Sequence, residues 1–230
     1  MIVAPPPPAA LAVSPIRVEL AGAGSATIRL TNTGSAPTTV DGARAGFAID
    51  VSGRPRAVPL RDSGVDVLVR PGSVVLAPRS GATATIVVRV GPRASPGDHA
   101  SLVVFATRPR SSSGVGVRLR VGVVVLVRVP GTIVHRLRLA GIGLVRRTLV
   151  IGVRNLGNVV ERLDSAALGV RLLRGGRVVR RVGIPAREVL PGGRAVIRVA
   201  APPWRGRVIV ELRGRGSPTV RRWRKLHGGV

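Results

Sequence analysis

Histidines and carboxylates are the residues with which this chain would do acid–base or metal chemistry, and their spacing supports neither. His99, His135 and His227 are the only three histidines, and they stand too far apart in sequence for a metal-ligand motif. Asp98-His99 follows Pro96-Gly97 and reads as a turn capped by its Asp side chain. Asp62 and Asp66 have no third carboxylate or Asp-x-Asp pattern beside them, so no calcium loop is read. Gly114-x-Gly116 and Gly141-x-Gly143 open no helix and read as strand or turn glycines, not phosphate loops. With no cysteine there is no disulfide and no thiol nucleophile. No catalytic, cofactor-binding or metal-binding set emerges, and the expectation is a protein that is not an enzyme.

Arginine is the chemistry the chain does carry. Its 37 basic residues face 10 acidic ones, a net charge of +27, and every basic residue but Lys225 is Arg. The planar guanidinium matches phosphate and carboxylate, so such a charge favours polyanions: nucleic acid, anionic lipid or a phosphate-rich wall polymer. A preference for GC-rich codons that spreads Arg over solvated strand faces accounts for the same count. Single-stranded nucleic acid is bound by stacking on aromatics. Here there are only Phe47, Phe105, Trp204 and Trp223, which puts nucleic acid last among the partners.

The stretch that organises the chain is Val115 to Val129, VGVRLRVGVVVLVRV. Its odd positions are all apolar, while Arg118, Arg120 and Arg128 sit at even ones. Period two means one buried face and one cationic face. Such a strand would span roughly 50 Å, beyond the usual ~17–20 Å. It is therefore expected to bend at Gly122 and serve two partners. Two site readings follow: Arg118, Arg120 and Arg128 as an anion- or polymer-binding strip, to which the resemblance given below adds Arg17, and Val123, Val124, Val125, Leu126 and Val127 as a strand-pairing segment. An edge this apolar needs a cover to avoid aggregation.

The elements around that stretch read as all-β. Val-rich runs alternate with Gly/Pro turns, and helical periodicity is scarce. Residues 1–10 hold Pro5 to Pro8 and read as a polyproline tail. The N-terminus lacks a basic region and an apolar core and is not read as a signal peptide. No apolar run reaches the ~18 residues of a membrane helix. Leu11 to Leu20 is a first strand, with Pro15 making it an edge or a bulge. With it, seven or eight strands precede Pro130-Gly131, enough for one sandwich spanning residues 11–130. The plan then repeats. Asn155-Leu156-Gly157 echoes Asn32-Thr33-Gly34, and Leu190-Pro191-Gly192-Gly193 echoes Leu76-Ala77-Pro78. A second sandwich is placed at residues 131–214, ending with a strand over Arg207 to Leu212. Residues 215–230 are read as a basic tail. The fold class is two tandem immunoglobulin-like β-sandwiches.

Two stretches, Ser14-Pro15-Ile16-Arg17-Val18-Glu19-Leu20 and Ile28-Arg29-Leu30-Thr31-Asn32-Thr33-Gly34, resemble the opening of immunoglobulin-like bacterial envelope proteins. Val69 to Pro78 and Ser95 to His99 are similar again. The match looks like the peptidoglycan-binding domain associated with WxL proteins, followed by a second immunoglobulin-like domain. Pilus-assembly chaperones are a more distant relative of the same two-domain plan. The WxL resemblance implies a secreted or surface-exposed, non-enzymatic protein that binds cell-wall polymer or another envelope protein, with no cofactor. The chaperone resemblance implies strand addition to a protein partner, and a basic pair that holds the partner's C-terminal carboxylate. Arg17 falls at the first basic position; the second falls near Val124, which is not basic, with Arg128 close by.

Overall fold

Valine, isoleucine and threonine alternate with polar residues over most of the chain, and each such run becomes a strand with one face buried. In the computed structural model, which describes residues 11–109, 117–201, 205–214 and 217–226, the regular elements are all strands. Strand β8 (Gly81–Val90) shows the rule plainly. Ala84, Ile86 and Val88 are buried, and the residues between them are not.

The contacts divide the chain into two units. The first comprises residues 1–47, 57–95 and 99–130; the second takes 48–56, 96–98 and 131–230. Two short excursions, 48–56 and 96–98, therefore leave the continuous 11–130 block expected from the sequence.

In the first unit, β1 (Leu11–Ser14), β3 (Gly24–Asn32), β8 and β6 (Val65–Arg70) form one sheet in that order. The facing sheet runs β2 (Arg17–Ala21), β10 (Arg120–Val129), β9 (Gly97–Thr107), β4 (Thr38–Ile49) and β5 (Pro55–Val58), with β7 (Ser73–Leu76) also on β4. This is the immunoglobulin arrangement. The single first strand expected over Leu11–Leu20 is two strands. β1 pairs antiparallel with β3, and β2 pairs parallel with β10 in the other sheet. Pro15 lies at the switch, where its missing amide costs no ladder bond. Phe105 is the largest side chain buried in this core, among Ile28, Leu30, Leu76 and Ile86.

The second unit pairs β11 (Leu137–Val145), β12 (Thr148–Asn155) and β17 (Arg194–Ala200). Its other large sheet runs β15 (Arg177–Val182), β14 (Leu168–Arg174), β18 (Gly206–Gly214) and β19 (Ser217–Leu226). Two short strands, β13 (Glu161–Leu163) and β16 (Arg187–Val189), pair with each other. The β14–β15 hairpin turns at Gly175 and Gly176, φ 56° and 82°, the left-handed pair that a tight two-residue turn requires. Strand β19 corrects the reading of residues 215–230 as a tail beyond the last strand. From Ser217 to Leu226 it pairs antiparallel with β18. Charge misled the reading: its arginines project from an edge strand, where cations are tolerated because only one neighbour adjoins.

The two Asn-x-Gly turns are built alike. Asn32 and Asn155 are 1% and 0% exposed. Asn32 Oδ1 accepts from Gly34 N at 2.9 Å, and Asn155 Oδ1 accepts from Gly157 N at the same distance. Each amide nitrogen then ties its turn to a second segment: Asn32 Nδ2 donates to Ala77 O at 3.0 Å, Asn155 Nδ2 to Val189 O, at the end of β16, at 2.9 Å. The sequence echo between these loops thus corresponds to one repeated clamp.

Among the described residues, no helix is long and apolar enough to cross a membrane. Residues 1–10, Gly114, Val115, Gly116 and Trp204 lie outside the described residues.

Candidate functional site

The long strand is shorter than its sequence suggests. β10 covers Arg120–Val129, ten residues, and both of its neighbours, β2 and β9, belong to one sheet. It neither bends into a second sheet nor offers Val124–Val127 as an open edge. Val124 pairs with Arg17, Val125 with Val18, Leu126 with Glu19 and Val127 with Leu20. The cover that so apolar an edge demands is therefore the chain's own β2. Val123, Val125 and Val127 are fully buried in the core.

What remains open lies earlier on the same strand. Val124 N donates to Ile16 O at 2.9 Å, and Gly22 N donates to Arg128 O at 2.8 Å. On the opposite side, Thr107 N donates to Leu119 O at 3.0 Å. Even positions of β10 thus direct their backbone groups toward β2 and odd positions toward β9, as strand alternation demands. Pairing with β2 begins only at Val124. Arg120 and Gly122 therefore present N–H and C=O groups on a side where, among the described residues, no strand lies opposite. This open stretch is the candidate site. Sequence reasoning placed it three residues too far along, because nothing local reveals where β2 starts.

The four arginines do not form one strip. Arg17 stands beside Val124, and its Nε donates to Glu19 Oε1 at 2.6 Å. Arg118 adds its charge to a different group around Asp41. Arg120 and Arg128 are both exposed, but eight residues of strand hold them about 26 Å apart. Of the carboxylates considered for a metal, Asp62 Oδ1 accepts from Gly64 N at 3.0 Å and closes a turn. Asp66 is paired with Arg44. Asp98 lies in β9 and not in a turn; its Oδ2 accepts from Val160 N at 2.7 Å.

Asp41 carries the clearest electrostatic feature near β10. Arg108 grips it through a fork, Nε to Oδ2 at 2.7 Å and Nη2 to Oδ1 at 2.8 Å. That hydrogen-bonded fork, then Ser73, lower its carboxyl from 3.8 to about 2. A pKa lowered by folding stabilises the protein above the unfolded value, and the gain is lost as pH falls through the folded one. The pair is thus fully felt above about pH 4 and is lost as pH falls through about 2. Arg108 is 62% exposed, so solvent screening holds the effect to about 1 kcal/mol. Asp41→Asn is expected to cost that amount at pH 7, measured by urea unfolding, and to cost less than half of it at pH 2.

No family model and no curated protein matches the sequence, and the resemblance to the WxL-associated family finds no support. Solved structures do match. A chain of the chaperone–tip adhesin complex of CFA/I fimbriae is similar with a TM-score of 0.56 at 12% identity, covering 94% of this chain and 98% of that one. The class 5 fimbriae chaperone CfaA is similar with a TM-score of 0.55 at 14% identity, covering 93% and 98%. A structure of the Salmonella enterica SafA pilin with the SafB chaperone gives 0.52 at 14%, covering 94% and 96%. At these identities the likeness establishes the fold: all-β, two consecutive immunoglobulin-like sandwiches.

Proposed function

We propose that this protein is a non-enzymatic, chaperone-like protein of the bacterial envelope that holds a protein partner by β-strand addition. The observation that carries the reading is the backbone of Arg120 and Gly122, opposite which no strand lies among the described residues, on a strand otherwise paired on both sides. Backbone hydrogen bonds supply affinity in such complexes, and alternate side chains select the partner. The fold shared with fimbrial chaperones supports the same reading. The partner that fits is an envelope subunit whose own sandwich lacks a strand, since that subunit's open edge needs what β10 offers. Binding of cell-wall polymer through Arg17, Arg118, Arg120 and Arg128 is the weaker reading, because these side chains are not gathered in one place.

The test removes a hydrogen-bond donor and leaves the charge alone. Gly122→Pro deletes the amide on the open side and leaves the backbone bonds to β9 in place; its Cβ, like that of alanine, meets the Leu102 side chain of β9 at 3.0 Å. Co-expressed with a strand-deficient fimbrial-type subunit, the wild-type protein is expected to co-purify with it. Gly122→Pro is expected to lose about fivefold in affinity, one lost backbone bond at about 1 kcal/mol. Hydrogen exchange at Arg120 and Gly122 should slow in the complex. Capture that survives Gly122→Pro and vanishes in high salt would show charge attraction and end the proposal. Gly122→Ala, which keeps the donor, is the control for folding.

A further inference from the structure

The sheet β15–β14–β18–β19 buries one face only. Val170, Leu172, Val208 and Val210 point into the core of the second unit. On the opposite face, strand pairing sets Ile209 beside Trp223 and Arg207 beside Lys225. Trp223 is 62% exposed, and the Arg207 guanidinium carbon lies 5.4 Å from the centre of its ring. Together with the Gly175-Gly176 turn they bound an open recess of about 870 Å³, whose charged lining is Arg205, Arg207, Arg221 and Lys225. Glu211 is the acid of this face, and it is claimed by Arg171, Arg213 and Arg221. Among the described residues, Arg207 and Lys225 are in no ion pair. At the far edge of the sheet, β15 exposes Val178 and Val179 between Arg177 and Arg180.

We infer that this face docks on an anionic phospholipid bilayer. Three features on one face fit that occupant. Unpaired cations meet the phosphates. An indole prefers the boundary between headgroup and chain, one end wet and the other apolar. The exposed valines of the edge strand add apolar area that would otherwise stay in water. Arg207 lies over the indole and is exposed, and a guanidinium so placed can take a phosphate in a bidentate manner. Single-stranded nucleic acid fits less well: a stacking platform uses successive aromatics, and this face carries one.

The test uses Trp204→Phe, which leaves Trp223 as the single fluorophore of the full chain. Vesicles of phosphatidylcholine with about one-third phosphatidylglycerol are expected to shift its emission to shorter wavelength, and brominated lipid chains should quench it; phosphatidylcholine alone should do neither. Arg207→Gln with Lys225→Gln is expected to lower vesicle partitioning about 30-fold. The equal charge change Arg29→Gln with Arg89→Gln, in the first unit, should change it less than about threefold. Should Trp204→Phe lower the melting temperature, quenching of the wild-type chain compared with Trp223→Phe reads the same contact. The proposal is overturned by vesicle binding without a Trp223 shift, by equal losses from the two double variants, or by a shift with oligonucleotide and none with vesicles.

Discussion

Phe105→Ala is expected to destabilise the first domain by about 4 kcal/mol, within the range for removing a fully buried ring. The ring is 1% exposed and stands directly across from Gly42, with which it is in register. The pairing is steric as well as apolar. A methyl group on Gly42 would come 3.2 Å from the Phe105 ring and 2.8 Å from Val69 Cγ1. The ring fills the space that the glycine leaves open, so its loss creates a cavity beside a residue that has no side chain to fill it. Two further variants check this account. Gly42→Ala alone should destabilise through crowding. Combined with Phe105→Leu it should cost less than the sum of the two, because the smaller side chain makes room for the added methyl. Backbone circular dichroism through a urea titration is the measurement. Additive effects would show that the ring and the glycine do not share one space.

Asn155→Ala should cost about 3 kcal/mol and act on the second domain. Its amide nitrogen donates to Val159 O at 2.7 Å and to Val189 O at 2.9 Å, both in buried surroundings. Alanine leaves two buried carbonyls and the amide of Gly157 without partners, and each such group costs about 1–3 kcal/mol. Asn32→Ala in the first domain should be milder, about 2 kcal/mol, because its bond to Ala36 O is only partly buried. Asn155→Asp should be worse than alanine at pH 7. It sets a carboxylate oxygen against two carbonyls, and the penalty should ease in acid as the group gains a proton to donate. Trp204 and Trp223 both follow Gly131, so tryptophan emission follows this domain in a urea titration. An Asn155→Ala variant as stable as wild type would show that the clamp contributes nothing. The turn's other demand is steric: a side chain at Gly157 would meet Val134 O at 2.1 Å.

Alternation along a strand does not say which of its edges is already paired. Alternation in Val115–Val129 pointed to strand addition, yet the residues named for it, Val123 to Val127, are buried or already paired. The open backbone belongs to Arg120 and Gly122. In the same way, the cations of Arg221 to Lys225 suggested a solvated tail, although Val220 and Leu226 at its ends pair opposite Leu212 and Gly206.

By itself the amino-acid sequence determined what is local. Period-two alternation set the strands and their buried faces. The Asn-x-Gly and Gly-Gly pairs set turns, because few residues accept those backbone angles or cap them. The repetition of those turns marked two similar domains. Only the tertiary structure decided which strand lies beside which: that β2 begins opposite Val124, that β19 completes a sheet, that Glu19 answers Arg17, that Trp223 and Arg207 share one face. The physical reason is that a strand's hydrogen-bonding groups are the same in every residue but proline. They take whichever neighbour the packing of the apolar faces brings within reach, and no side chain announces that neighbour in advance.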